Sequence, residues 1–132
     1  MIRFKIAYLD TSYLVAIAFD EPGSDKLVQF IRTLNSVYAA SLLEAEFLAA
    51  AEREGLRDKA YRLLDGISWV HPGRRLTEEI NEVLTQGYLC EADLFHLATA
   101  KFLFPDPTSA YFLSLDKRQL EIASSLGFQK PD

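Results

Sequence analysis

The fold is decided at the start of the chain by residues 4–10, which read FKIAYLD. The first six of these residues are mainly apolar and rich in strand formers, and the run stops abruptly at Asp10. A short apolar run of this kind predicts a buried strand. An acid that closes the first strand of an α/β fold is more often functional than structural, so Asp10 becomes the first candidate site residue.

Strand-like runs and helical patterns alternate along the rest of the chain. Further strands are predicted at residues 37–40, 67–70 and 111–115, with an edge strand at 128–130. Helices are predicted at residues 13–19, 24–34, 42–54, 57–64, 77–86, 91–104 and 118–126. This order predicts an α/β fold: a three-layer α/β/α sandwich with a mainly parallel sheet of four to five strands. We expect residues 1–132 to form a single domain.

Composition sets the broad class of protein. A chain of 132 residues that is 49% hydrophobic and 25% charged can build one hydrophobic core. No run is long enough to span a membrane, and Lys5 and Asp10 interrupt the apolar stretch that a signal peptide needs. The single cysteine permits no intrachain disulfide, so we expect a cytoplasmic protein.

The formal net charge of −5 argues against a nucleic-acid partner, because phosphate binding usually requires a basic surface. That objection weakens if several carboxylates bind metal cations, because the cations cancel or reverse the local charge.

Four acids are predicted to meet at one edge of the sheet. Asp10 and Asp116 each follow a strand directly, and parallel strands end at the same edge. Glu46 lies in the first turns of the helix that leaves the second strand. The helix that begins near Asp93 ends where the fourth strand begins, so its start lies at the edge that holds the other acids. Ligand sites of open α/β sheets lie at this carboxyl edge.

Clustered carboxylates repel one another, and burial disfavours their charged form, so a cation is needed to neutralise them. Mg²⁺ prefers oxygen ligands, and Mn²⁺ can substitute for it. Since no histidine or thiolate cluster accompanies the acids, zinc is disfavoured. One or two such ions beside a phosphodiester can activate water and stabilise the leaving oxygen.

Each acid also has an ordinary structural interpretation. Asp10 is compatible with a turn, and Asp116 with a helix cap. Asp93 would complement the dipole of its helix. Glu46 is the weakest of the four by itself, because an alanine-rich helix often carries solvent-facing glutamates; Glu44 lies two residues away.

The motifs that hold these acids resemble those of the PIN-domain nucleases, particularly the VapC-type toxins. Residues 8–12 (YLDTS) resemble the family's first strand motif, and residues 41–48 (SLLEAEFL) its second motif. Residues 91–100 (EADLFHLATA) are very close to the family's Ala-Asp-x-x-His-x-Ala-x-Ala pattern. Residues 112–118 (FLSLDKR) and the segment 123–128 complete the resemblance. Four matches in order over nearly the whole chain make it specific.

The resemblance implies an endoribonuclease that requires Mg²⁺ or Mn²⁺ and hydrolyses RNA phosphodiester bonds. It selects Glu46 over Glu44, so the implied metal-binding and catalytic set is Asp10, Glu46, Asp93 and Asp116. It also implies the toxin of a toxin–antitoxin pair, a homodimer, and a small antitoxin that covers the site.

Five further residues are candidates for supporting roles. Thr11 and Ser12 are candidates to support a metal-bound water or to cap the first helix, and capping is the more frequent role. Ser114 replaces the family's usual threonine and keeps a hydroxyl for a hydrogen bond to a ligand or to Asp10. Lys117 and Arg118 are candidate RNA contacts, although surface charges on helices are usually just solvated. His96, one turn after Asp93, is interpreted as a structural histidine.

Other functions fit the sequence less well. Haloacid-dehalogenase-like phosphatases have a second acid two residues after the nucleophile, where this chain has Ser12. Receiver domains have an Asp at the end of strand three, where this chain has His71 and Pro72. A PIN-like module that binds RNA or protein without a toxin role, and a free-standing RNA-processing nuclease, stay open as alternatives.

Overall fold

The fold is described from a computed structural model, which describes residues 4–131. The strands are β1 (Ile6–Leu9), β2 (Ser36–Ala40), β3 (Ser68–Val70) and β4 (Tyr111–Leu113). The helices are α1 (Thr11–Ala18), α2 (Ser24–Ile31), α3 (Ser41–Arg53), α4 (Arg57–Leu64), α5 (Thr77–Gln86), α6 (Glu91–Leu103) and α7 (Lys117–Leu126). A short 3-10 helix, Pro107–Ser109, precedes β4.

The strands form one parallel sheet in the order β3-β2-β1-β4. In the central strand, Tyr8 pairs with Tyr38 of β2, and Leu9 pairs with Leu113 of β4. Because all three pairings are parallel, the carboxyl ends of the strands lie at one edge of the sheet. That edge carries the residues that follow β1 and β4.

Helices cover both faces of the sheet. Successive residues of β1 point to opposite faces, and each face packs against a different set of helices. Tyr8 packs into a cluster that includes buried residues of α5, α6 and α7, among them Val83, Leu97 and Ile122. Ala7 and Leu9 pack into the opposite cluster, with residues of α1, α3 and α4. The prediction of a three-layer α/β/α fold with a mainly parallel sheet is therefore confirmed.

The differences from the predicted elements lie at element ends. Strand β4 ends at Leu113, and the predicted edge strand at residues 128–130 is reduced to one parallel bridge between Tyr111 and Gln129. Helix α1 begins two residues earlier than predicted, directly after Asp10. Within residues 4–131, the helices are too short or too polar to cross a lipid bilayer.

Candidate active site

Asp93 shows that the four predicted acids lie near one another. It is half-buried in the first turn of α6. Burial raises the pKa of Asp93, and the negative charges of Asp10, Asp116 and Glu46 raise it further, while His96 acts in the opposite direction. The structure therefore brings the four acids within electrostatic reach of one another at the carboxyl edge.

Asp10 is buried, and donors surround its carboxylate. Its Oδ2 accepts hydrogen bonds from the backbone N–H of Ser12 (3.0 Å) and from Ser12 Oγ (2.6 Å). Its Oδ1 accepts one from Nε2 of Gln119 (3.1 Å). The bond to the Ser12 backbone makes Asp10 the N-cap of α1. The expectation that Thr11 or Ser12 caps this helix is therefore wrong, because the acid itself occupies the cap position.

Asp116 is the N-cap of α7. Its Oδ1 accepts a hydrogen bond from the backbone N–H of Gln119 (2.8 Å), and its own N–H donates to Ser114 Oγ (3.0 Å). The capping role that the sequence allows for Asp116 is thus present. It leaves the charge of Asp116 close enough to Asp93 to act on it.

Glu46 and Glu44 occupy different surroundings. Glu44 is exposed, whereas the side chain of Glu46 is 31% exposed. Oε1 of Glu46 accepts a hydrogen bond from Thr11 Oγ1 (2.7 Å) and lies 2.7 Å from Nε2 of His96. The contacts of Glu46, unlike those of an ordinary solvent-facing glutamate, tie it to α1 and α6.

His96 is buried, as expected of a structural histidine, but it also contacts a candidate acid. Its Nδ1 lies 3.0 Å from the Tyr8 hydroxyl. Burial raises the pKa of Tyr8 far above its ordinary value, so this hydroxyl keeps its proton. The same hydroxyl accepts from the Ala40 N–H (3.2 Å), and Nε2, on the other side of the imidazole ring, faces Glu46. The sequence predicts the burial of His96 but not the contact with Glu46.

Gln119 is fully buried and contacts three of the acid-bearing segments. Its Nε2 donates to Asp10 and to the carbonyl oxygen of Asp93 (3.2 Å). Its Oε1 accepts from Ser114 Oγ (2.6 Å). Gln119 is not among the site residues predicted from the sequence. The spacing Asp116-x-x-Gln119 is that of a capping box, which predicts a glutamine turned back toward its own helix start.

Ser114 is buried, and its contacts differ from the direct bond to Asp10 that the sequence allows. It reaches Asp10 through Gln119 on one side and through Ser12 on the other, with 3.3 Å between the two serine hydroxyl oxygens. The Ser12 hydroxyl also accepts from the Leu115 N–H (3.0 Å).

Lys117 and Arg118 are exposed in the first turn of α7, directly after Asp116. Nη1 of Arg118 lies 3.7 Å from Oε2 of Glu121, in a solvent-exposed pair. Its guanidinium also lies against Gly87, the residue after α5. Both cations therefore flank the edge that holds the acids.

The donor set fits a hard divalent cation bound partly through water. Among residues 4–131, no group of three acidic, histidine or cysteine side chains is arranged to hold one ion by itself. Mg²⁺ keeps several waters and is usually bound by one or two carboxylates, so it does not need such a cage. Carboxylate oxygens with incompletely neutralised charge, as at Asp93, are suitable donors for it.

Comparisons with known proteins bear on the family and the fold of the chain. A family model described as "PIN domain" matches residues 7–124. The chain is 30% identical over 122 residues to Ribonuclease VapC46 of Mycobacterium tuberculosis (strain ATCC 25618 / H37Rv), covering 91% of this chain and 92% of the relative. Its fold is similar to a chain in the crystal structure of VapBC2 from Rickettsia felis bound to a DNA fragment from their promoter. For that pair the TM-score is 0.68 and the identity 14%, over 96% of this chain and 99% of the other.

Proposed function

The chain belongs to the PIN domain family, and from that premise we propose that it is an endoribonuclease dependent on Mg²⁺ or Mn²⁺. It hydrolyses RNA phosphodiester bonds at the edge that holds Asp10, Glu46, Asp93 and Asp116. Its similarity to Ribonuclease VapC46 over nearly the full length of both chains supports the assignment of RNA as the substrate.

The convergence of the four acid-bearing segments carries the proposal. Gln119 contacts Asp10, Asp116 and the backbone of Asp93, and Thr11, the residue after Asp10, contacts Glu46. Partial burial, and after it the charges of the three other carboxylates, disfavour the charge of Asp93 and raise its pKa. A fold that assembles four acids from four segments lowers its own stability unless a cation neutralises them. A divalent cation bound by these carboxylates would neutralise them.

The residues divide the work by their contacts. The four acids hold the cation, directly or through water, and Asp10 and Asp116 are fixed in place by Ser12, Ser114 and Gln119. Thr11 and His96 hold Glu46 against α1 and α6. A divalent cation held by these acids would supply an activated water and neutralise charge at the phosphate. Lys117 and Arg118 flank the edge and contact the RNA backbone.

We also propose that the protein is the toxin of a toxin–antitoxin pair in the cytoplasm. It forms a homodimer, and a small antitoxin covers the acidic edge. The resemblance to VapC-type toxins in four motifs and the similarity in fold to a chain of VapBC2 support this role. A short neighbouring reading frame for a small DNA-binding protein would favour it over a free-standing RNA-processing nuclease.

The experiment compares RNA cleavage by purified wild type and substituted proteins, with Mn²⁺ and with EDTA. Asp10→Asn and Asp93→Asn should each lower the rate by about 100-fold or more, because loss of even an outer-shell partner of a metal site costs about 10- to 100-fold. Glu46→Gln should also lower the rate, whereas Glu44→Gln on the same helix should leave it unchanged.

Two outcomes would overturn the assignment. Equal activity in wild type, Asp10→Asn and Asp93→Asn would point to a contaminating nuclease. RNA binding without cleavage at any divalent metal concentration would instead favour a PIN-like binding module.

A further inference from the structure

We propose that Gln119 is a positioning residue that fixes the Asp10 carboxylate so that a single oxygen position stays open for a ligand. This inference rests on the proposed function, because it concerns how the same site is prepared for its cation.

The count of acceptor positions on Asp10 leads to this inference. A carboxylate offers about four acceptor positions, two on each oxygen. Ser12 fills both positions on Oδ2, through its backbone N–H and its hydroxyl. Gln119 fills one on Oδ1. Of the contacts made by residues 4–131, these three leave one position, on Oδ1, for a cation or for a water bound to it.

The orientation of the Gln119 amide is set by its surroundings. Nε2 faces two acceptors, the Asp10 carboxylate and the carbonyl oxygen of Asp93. Oε1 faces the Ser114 hydroxyl, which donates to it at 2.6 Å. A flipped amide would place an oxygen against a carboxylate and a carbonyl oxygen, so the observed orientation is strongly preferred.

The hydroxyl hydrogen of Ser114 is used in the hydrogen bond to Oε1 of Gln119. The Ser12 hydroxyl gives its hydrogen to Asp10, and the Ser114 hydroxyl gives its own to Gln119. The 3.3 Å contact between the two serines therefore uses neither hydrogen. Both hydroxyls accept from backbone N–H groups, of Leu115 and Asp116. Ser114, which follows β4, thus orients the amide of Gln119, and that amide in turn orients the carboxylate of Asp10 at the end of β1.

The same residue links the segments of the three aspartates. Its side chain contacts Asp10 and the backbone of Asp93, and its backbone N–H donates to Asp116 at 2.8 Å. Its side chain is fully buried, so solvent does not supply substitute donors. Loss of the amide should therefore leave Oδ1 of Asp10 without its donor, while Ser12 still holds Oδ2, and should alter the spacing between α6 and α7.

The test measures Mn²⁺ binding by titration calorimetry on metal-free protein, beside the melting temperature in EDTA and the cleavage rate. Gln119→Met keeps an unbranched side chain but removes both polar ends. It should weaken Mn²⁺ binding about 10-fold and lower the cleavage rate by about 10- to 100-fold, as expected for an outer-shell partner. Gln29→Met, at an exposed position of α2, is the matched control and should match the wild type in all three measurements.

Ser114→Ala tests the same series of hydrogen bonds without changing Gln119. If Gln119→Met does not fold, Ser114→Ala is the variant that decides the outcome. It should weaken Mn²⁺ binding less than Gln119→Met does. The double variant should bind Mn²⁺ within about 2-fold of Gln119→Met, because residues that act through one contact chain are not additive. Two unrelated structural defects would multiply instead.

The outcomes separate this inference from the proposed function. A folded Gln119→Met protein with wild-type Mn²⁺ affinity, or multiplied losses in the double variant, would overturn the role of Gln119 alone. A wild-type protein that neither binds Mn²⁺ nor cuts RNA with it would overturn the proposed function, and this inference with it.

Discussion

At the scale of single residues, the charged carboxylate of Asp93 lowers the stability of the metal-free fold. Its position in the first turn of α6 favours a negative charge, because the N-terminus of a helix is electropositive. Burial and the neighbouring acids outweigh that effect, since the net change is a raised pKa. The metal-free protein therefore holds this carboxylate at a cost in stability.

The cost predicts a dependence of stability on pH. The folded protein binds a proton at Asp93 that the unfolded chain, with a pKa near 3.8, releases at lower pH. The contribution of Asp93 to the free energy of unfolding therefore falls as pH rises from about 3.8 through the raised pKa, and the loss persists above it. Asp93→Asn should melt a few degrees higher than wild type at pH 7 in EDTA, and the difference should vanish near pH 3.8.

Thermal melts across this pH range check the prediction, with Asp58→Asn at an exposed position of α4 as the control. Added Mn²⁺ should stabilise the wild type more than Asp93→Asn. If Asp93→Asn is the less stable protein at pH 7 without metal, the repulsion among the acids does not govern stability.

The sequence predicts the positions of the acids better than their contacts. Asp10 and Asp116 follow strands, so parallel pairing alone places them at one edge. The contacts of Gln119 and His96 depend on side chains that are 109 and 50 residues away along the chain. No local pattern contains that information, and the capping-box spacing at Gln119 suggests a different role.

At the scale of elements, prolines and glycines mark most boundaries, which is why the predicted helices lie within a few residues of those in the structure. Helix α4, predicted at residues 57–64, is found at Arg57–Leu64. The strand predicted at residues 128–130 fails because only Gln129 pairs with β4. Apolar residues near a chain end indicate burial but do not fix pairing.

The end of α7 provides a prediction about stability alone. Gly127 caps this helix with φ 110°, a left-handed conformation that costs a residue with a side chain about 1–2 kcal/mol. A Cβ there would meet only ordinary contacts, at 3.5 and 3.7 Å, so the cost is conformational. Gly127→Ala should lower the melting temperature by several degrees, as measured by circular dichroism.

Gly66→Ala is the matched control, since its backbone is not left-handed and no heavy atom lies within 4 Å of an added Cβ. Cleavage at 25 °C should be unchanged in both variants, because Gly127 lies at the opposite end of α7 from Asp116. An unchanged melting temperature in Gly127→Ala would contradict the assigned strain.

At the scale of the whole molecule, the net charge of the protein has the same sign as the charge of its proposed substrate. The net charge of −5 repels RNA. The cations beside the carboxyl edge that holds the four acids are therefore expected to contribute strongly to RNA binding. Lys117 and Arg118 are exposed beside Asp116 and are positioned to contact phosphates.

Replacing both Lys117 and Arg118 by alanine should weaken RNA binding and reduce its dependence on salt. Each lost phosphate contact lowers the slope of log affinity against log salt by about 0.7 on single-stranded RNA. The control is Arg53→Ala with Arg62→Ala, two exposed arginines of α3 and α4, which changes the net charge equally, from −5 to −7. Fluorescence anisotropy at several salt concentrations measures both. Equal losses in the two double variants would mean that only net charge matters.

The order of the sheet has a consequence for the synthesis of the protein. The central strand β1 is made first, yet its neighbour β4 and the buried amide bound to Asp10 come 100 or more residues later. Such long-range contacts cannot form while the chain is incomplete. The proposed active site is therefore incomplete on the ribosome until helix α7 has emerged, because the buried amide that contacts Asp10 belongs to that helix.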